Sequence, residues 1–416
     1  VSDQVPGGRP DTDHGSSEPP GPSGPEAWPP PRPAYPGQPY TVQSYPGPVP
    51  QDQPGYPWVP TGQGQGQWQG QGQPQWQGQV QPAYPGYQGY PAPPVQQWPS
   101  FPHAEPTPYH RMLRTWTYSW WRPVLGSFLV VIGMVLVMPL VFLPLLAAAV
   151  AISGGPFWET FEEALSLQTV EPAGLLYLNV VLGSTILVTW FVIRFVHRMR
   201  PRWLTSVVPK MRWRLLGICL GLSVVALVAQ LVVSTLLPGQ TEADLGAVNE
   251  FTRTTAITAL IVIITTPFQA AGEEYVFRGY LLMAVWSLFR WKWVAILVTA
   301  LLFASAHGVQ NFPLFFDRFM FGLIAGWLVI RTGGLEAAIA LHILNNFLAY
   351  AIALSFGDLT ETLTVSEVGW WNVPLTLTQS GVYAVLVVLV ARRMGLQTRT
   401  APPVGEPVRP PEVARV

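Results

Sequence analysis

What most constrains this chain is a series of apolar runs separated by short charged segments. Eight are long enough to approach a bilayer's width, near residues 124–151, 173–193, 215–237, 255–289, 293–311, 314–331, 335–354 and 373–391. A helix rises about 1.5 Å per residue, so roughly 20 apolar residues cross a hydrocarbon layer of ~30 Å. Only a helix satisfies its backbone within such a segment. The expected fold is therefore all-α, a polytopic membrane bundle of about eight transmembrane helices. The fourth run is too long for one straight crossing, since a helix over 255–289 reaches roughly 50 Å. Pro267 or Gly279 is expected to bend it, or its end to emerge well into the cytoplasm.

Composition agrees. Charged residues make up 11% of the 416, too few for the water-facing surface of a globule that size. Lys plus Arg (23) balance Asp plus Glu (23), so no basic footprint favours nucleic acid, which is excluded as a partner. The one cysteine, Cys219, lies in an apolar run and excludes an intrachain disulfide and a cysteine-based zinc site. Val1 stands where Met is usual, as a GTG start codon read literally would produce in a GC-rich bacterium; a trimmed chain is the alternative. No secretory signal is visible before the first long apolar run near Val124.

The ends read differently from the middle. Residues 1–110 hold few aliphatic side chains and repeat units such as Gly-Gln-Trp-Gln-Gly-Gln and Tyr-Pro-Gly. Such a segment buries too little apolar surface to offset its chain entropy, so it is expected to be a disordered cytoplasmic tail. Its Tyr and Trp residues are candidate contacts for a cytoplasmic partner; a plain solvated tether is the other reading. Residues 396–416 are expected to form a second, Pro-rich disordered tail. Residues 111–395 form the transmembrane domain between them.

Loop charge orients the spans. Arg111, Arg114 and Arg122 precede the first, and Arg194, Arg198, Arg200, Arg202, Lys210, Arg212 and Arg214 fill the second loop. Arg290 and Lys292 follow the fourth span, Arg331 the sixth, and Arg392 with Arg393 the eighth. The alternate loops are acidic, with Glu159, Glu162, Glu163 and Glu171, then Glu242, Asp244 and Glu250, then Asp358, Glu361 and Glu367. The short connection between spans five and six carries Asp317 and Arg318 and is uninformative. The alternation predicts eight spans in the plasma membrane, with both termini cytoplasmic.

Against this background a few polar residues interrupt apolar helix. The fourth run carries Glu273, Glu274 and Arg278; the fifth Phe303 and His307, with Gln310 and Asn311 beyond; the seventh His342, Asn345 and Asn346. An ionised side chain at mid-bilayer costs at least ~2.5–3.5 kcal/mol, so such residues face a cavity or one another and mark function. Glu274 and Arg278 stand at i and i+4 and can pair, while Glu273 is rotated about 100° away and free to take a proton. His342 and Asn346 also share a face. Two histidines, a free carboxylate and an amide suffice for water-driven amide hydrolysis, with Glu273 as base aided by His307 and donors from His342 and Asn346 on the oxyanion. Taken singly, each has a structural reading: a histidine or asparagine as interhelical hydrogen-bond glue, a Glu–Arg pair as interfacial packing. The adjacent glutamates resist that reading, because two neighbouring carboxylates are costly in an apolar helix.

Glu273-Glu274-x-x-x-Arg278, Phe303-x-x-x-His307 and His342-x-x-x-Asn346, in this order, resemble the three motifs of the CPBP family of CAAX prenyl proteases and bacteriocin-processing or self-immunity proteins. The resemblance covers roughly residues 200–395. It implies a helical intramembrane endopeptidase with a polar cavity open to the cytoplasm. Its catalytic residues would be Glu273, Glu274, His307, His342 and Asn346, supported by Arg278 and Phe303. The implied substrate is a membrane-anchored protein or peptide, met within the lipid bilayer. Zinc is the alternative to direct glutamate-activated water, and would draw on Glu273, His307 and His342, since no His-Glu-x-x-His is present. Other functions remain open at this point: a non-catalytic scaffold or self-immunity factor, or a proton-coupled transporter, for which no inverted repeat is visible.

Overall fold

The computed structural model describes residues 102–166, 170–237 and 247–402. The expected tails over 1–101 and 403–416, and the acidic Glu242 and Asp244, lie outside the described residues. Among those residues the regular structure is helical, joined by two isolated β-bridges, Pro108–Arg399 and Ser206–Gly334.

Seven helices are long and apolar enough to cross a membrane: α1 (Trp121–Ser153), α2 (Pro172–Val196), α3 (Trp213–Ser234), α4 (Arg253–Phe289), α6 (Phe312–Thr332), α7 (Glu336–Phe356) and α8 (Asn372–Arg393). This is a multi-pass membrane protein. The fifth apolar run is shorter than expected. Its helix, α5 (Lys292–Ser305), has 14 residues, because the chain turns at Ala306–Asn311. Asp317 and Arg318, read as part of a connection, lie inside α6.

The helices alternate in direction between two ends. At one end Arg114 and Tyr118 reach the Ser287 carbonyl, Thr117 reaches that of His197, and Arg212 reaches those of Thr332 and Gln397. This end gathers the basic segments. At the other end Val170 bonds Thr360, Asn249 bonds the carbonyls of Leu354 and Gly357, and Asn311 bonds that of Val368. That end gathers the acidic connections. Residues 102–110, read from composition as tail, lie against the basic end, where Tyr109 is fully buried and its hydroxyl donates to the Leu204 carbonyl. Residues 396–400 lie there too, with Thr400 N–H donating to the Thr107 carbonyl at 2.9 Å.

Polarity is arranged for lipid. Large apolar side chains such as Val135, Leu140, Ile263 and Ile264 point outward, and the buried set includes Glu273, Glu274, Arg278, Glu336 and His342. Without a hydrophobic drive between helices in lipid, close contact depends on small residues. α4 packs between α2 and α7. At its α2 crossing, a Cβ added to Gly272 would sit 2.1 Å from the Leu182 carbonyl oxygen, so only glycine permits this approach. Gly272 directly precedes Glu273, and the crossing therefore sets where the first glutamate lies. A second anchor is ionic. Arg212, just before α3, grips the buried Glu336 at the start of α7, with Nη2 and Nε at 2.6 and 2.8 Å from its two oxygens. Glu336 also sits at a helix N-terminus, where a negative charge is favoured.

α4 is one continuous 37-residue helix. Pro267 lies within it, and Gly279 falls in the stretch Tyr275–Leu281 where its backbone widens to π geometry, immediately after the glutamates, which rotates the downstream face relative to a regular helix.

Candidate active site

α4 and α7 face each other at mid-bundle, with α5 and α6 closing the side. Arg278 Nη1 lies 2.7 Å from Glu274 Oε1, and neither side chain has any exposed surface. Arg278 hydrogen-bonds through that nitrogen alone among the described residues; its guanidinium is otherwise covered by the rings of Phe303 at 4.0 Å and Phe321 at 5.0 Å. A cation over aromatic faces is attracted by their quadrupoles, which offsets part of the burial cost. This gives Phe303 a physical task, and Phe321 shares it.

His342 is the hub. Its Nδ1 lies 2.8 Å from Glu274 Oε1 and its Nε2 3.2 Å from Glu273 Oε2. The expectation that Glu273 points away from its neighbour's partners needs revision. Both glutamates converge on one imidazole, because α7 lies against this face and the two ring nitrogens of His342 meet different carboxylates. Phe303 and Phe321 also meet the His342 ring edge-on, at centroid distances of 5.9 and 5.2 Å.

His307 and Asn346 complete the set. His307 Nδ1 is 2.8 Å from the Phe303 carbonyl; that bond fixes the proton on Nδ1 and leaves Nε2 with its lone pair. The imidazole is exposed in the α5–α6 turn and within electrostatic reach of Glu273. This turn is tied through Asn311 to the acidic end, whereas the resemblance implied access from the cytoplasm, the side on which loop charge is expected to put the basic end. Gln310 closes the turn by donating to the Ala304 carbonyl at 2.6 Å and accepting from Arg318 at 2.7 Å. Asn346 Nδ2 donates to Gln269 Oε1 at 2.8 Å, one turn before Glu273 on α4. Asn345 is held elsewhere, accepting from Gln379 of α8 at 2.9 Å.

Gln269 was missed in the sequence, although a polar residue four positions before Glu273 in an apolar helix was a readable signal. Phe321 carried none, because an aromatic in an apolar run looks the same facing lipid or facing a cation.

A zinc ion would need Glu273, His307 and His342 together. Among the described residues no group of three His, Cys, Asp or Glu side chains is arranged to hold a metal ion, and both His342 nitrogens already face glutamate oxygens. This donor arrangement does not fit zinc, so no catalytic step is routed through a metal.

A helical membrane bundle with a buried carboxylate–imidazole cluster defines the class. Residues 254–348 match the family model described as type II CAAX prenyl endopeptidase Rce1-like, and the chain carries an Rce1-like CAAX prenyl endopeptidase (CPBP) family domain. The chain is similar to YyaK, an uncharacterized protein of Bacillus subtilis, at 25% identity over 289 residues, 64% of this chain and 94% of that one. It is also similar to an uncharacterized 24.3 kDa protein of Escherichia coli, at 38% identity over 88 residues, which is 21% of this chain. That match spans 39% of the Escherichia coli protein's length. No solved structure matches.

Proposed function

We propose that this protein is an intramembrane endopeptidase that hydrolyses peptide bonds of membrane-anchored proteins or peptides with glutamate-activated water. The observation that supports it most is the convergence of Glu273 and Glu274 on His342, with Arg278 hydrogen-bonded to the second glutamate.

Water meets Glu273 and the free Nε2 of His307. As its oxygen attacks the scissile carbonyl carbon, Glu273 takes one proton and His307 accepts a hydrogen bond from the other. The carbonyl oxygen becomes an oxyanion, held by His342 Nε2–H and by the second N–H of Asn346, whose first is committed to Gln269. The proton on Glu273 then passes to the leaving nitrogen as the carbon–nitrogen bond breaks. Glu274 touches no reacting atom. It is a positioning residue that holds the His342 ring through Nδ1, and Arg278 supplies its countercharge.

The same proposal includes eight crossings of the plasma membrane, with both termini cytoplasmic. α5 is the eighth crossing element. Its 14 residues span roughly 21 Å, short of the full layer, and local bilayer thinning or its connecting turns cover the rest.

The test is turnover of a quenched-fluorescent library of membrane-anchored peptides by purified protein in lipid. Wild type should cleave a subset. Glu273→Gln should lower the rate by about 10²–10⁴-fold with an unchanged melting profile, because an amide cannot accept water's proton. Equal cleavage by the two proteins would sink the proposal.

A further inference from the structure

The basic end holds a feature the peptidase reading does not use. A pocket of about 430 Å³ opens among α5, α6, α8 and the two terminal segments, and Lys292, Arg331, Arg392 and Arg399 all line it. No carboxylate lines it, and none of the four cations has an ion-pair partner among the described residues. Apart from Thr398, its remaining wall is apolar, chiefly Ile296, Trp327, Ile330 and Val388, with Trp293 beside Lys292.

The rim is built, not incidental. Arg399 forms a β-bridge with Pro108, and Thr107 N–H donates to Thr400 Oγ1 at 2.9 Å, so chain segments almost 300 residues apart close around the cations. Neighbouring His110 registers the field. Burial first, then Arg111, Lys292 and Arg399, push its imidazole down to about 4. Basic residues at a cytoplasmic end are expected from topology alone. Four unpaired ones converging on a hollow with an aliphatic and indole wall are not.

We propose that this pocket binds the phosphate of an anionic membrane phospholipid, whose acyl chains run along Ile296, Trp327 and Ile330. The phosphate accounts for the cations and the acyl chains for the wall. A bare phosphate would use only the first. The site is on α5 and α6, the helices that carry Phe303 and Phe321, so a bound lipid braces the side of the proposed active site.

The experiment is native mass spectrometry of the full chain released from neutral phosphatidylcholine nanodiscs doped with phosphatidylglycerol. Wild type should retain one phosphatidylglycerol in preference to phosphatidylcholine. Arg331→Gln/Arg392→Gln/Arg399→Gln should weaken retention by on the order of 100-fold, at about fivefold per charge near a membrane surface. Arg393→Gln, the neighbouring exposed cation outside the pocket, should leave it unchanged. If the triple variant does not fold, Arg399→Gln alone should show the single-charge loss. Equal retention by the pocket variants, or equal loss on Arg393→Gln, would overturn the site. Displacement of the lipid by millimolar inorganic phosphate would overturn the lipid as its ligand in favour of free phosphate.

Discussion

Glu274 and Arg278 have no exposed surface, so each depends on the other to offset its loss of water. Removing one charge of such a pair leaves its partner uncompensated, at a cost of about 3–5 kcal/mol. Glu274→Gln should therefore lower the unfolding midpoint strongly and impair catalysis through a loosened His342. Glu273→Gln should lower turnover by about 10²–10⁴-fold with little change in midpoint. Thermal unfolding of both variants in the same detergent separates the roles; equal and purely catalytic losses would mean that the two glutamates are wrongly assigned. The spacing of Glu274 and Arg278 made their pairing readable, but the bond from Glu273 to His342 was not. It depends on where α7 lies, and no local pattern encodes that.

Among the elements, the α2–α4 crossing carries the greatest geometric demand. The backbone approach at Gly272 leaves no room for a methyl group, so Gly272→Ala should displace Glu273 and destabilise by about 1–3 kcal/mol. A drop in both midpoint and peptidase rate is expected; wild-type behaviour in both would show that the crossing is looser than described. The segment 102–118 should respond to pH. His110 is buried against Trp286, at 5.3 Å between ring centroids, and titrates near 4 instead of near 6.5. Its docked form stays neutral where its released form takes up a proton. Docking is thus unaffected above about pH 6.5 and weakens as pH falls towards 4, by at most about 3 kcal/mol. Protection of 102–118 against hydrogen exchange, taken relative to the intrinsic exchange rate at each pH, should fall across that window in wild type and respond less in His110→Phe. A flat profile in wild type would refute it. Composition placed 102–110 in the tail because its Pro and polar residues resemble what precedes them. Burial of Tyr109 and His110 on a surface made by distant loops is invisible at that level.

At the scale of the molecule, alternating loop charge carried most of the architecture, since each basic cluster lies where antiparallel packing brings it to one end. The length of α5 escaped, because the apolar run was read on to residue 311 while the helix ends at Ser305. Reporter fusions within 195–213 and after Arg393 should read cytoplasmic, and those within 155–171 and 357–369 external. A cytoplasmic reading at 357–369 would remove the eight-crossing arrangement. Turnover should also survive exhaustive chelation, because no described triad is set to hold zinc. Chelator-sensitive activity restored by zinc would reverse that conclusion. The central claim is that this cluster cuts membrane-anchored chains, and it is tested most directly by comparing protein termini in membranes from cells carrying wild type or Glu273→Gln at equal abundance. The account predicts a defined set of new termini at membrane-proximal sites with wild type, absent with Glu273→Gln. Identical termini in the two membranes would contradict it.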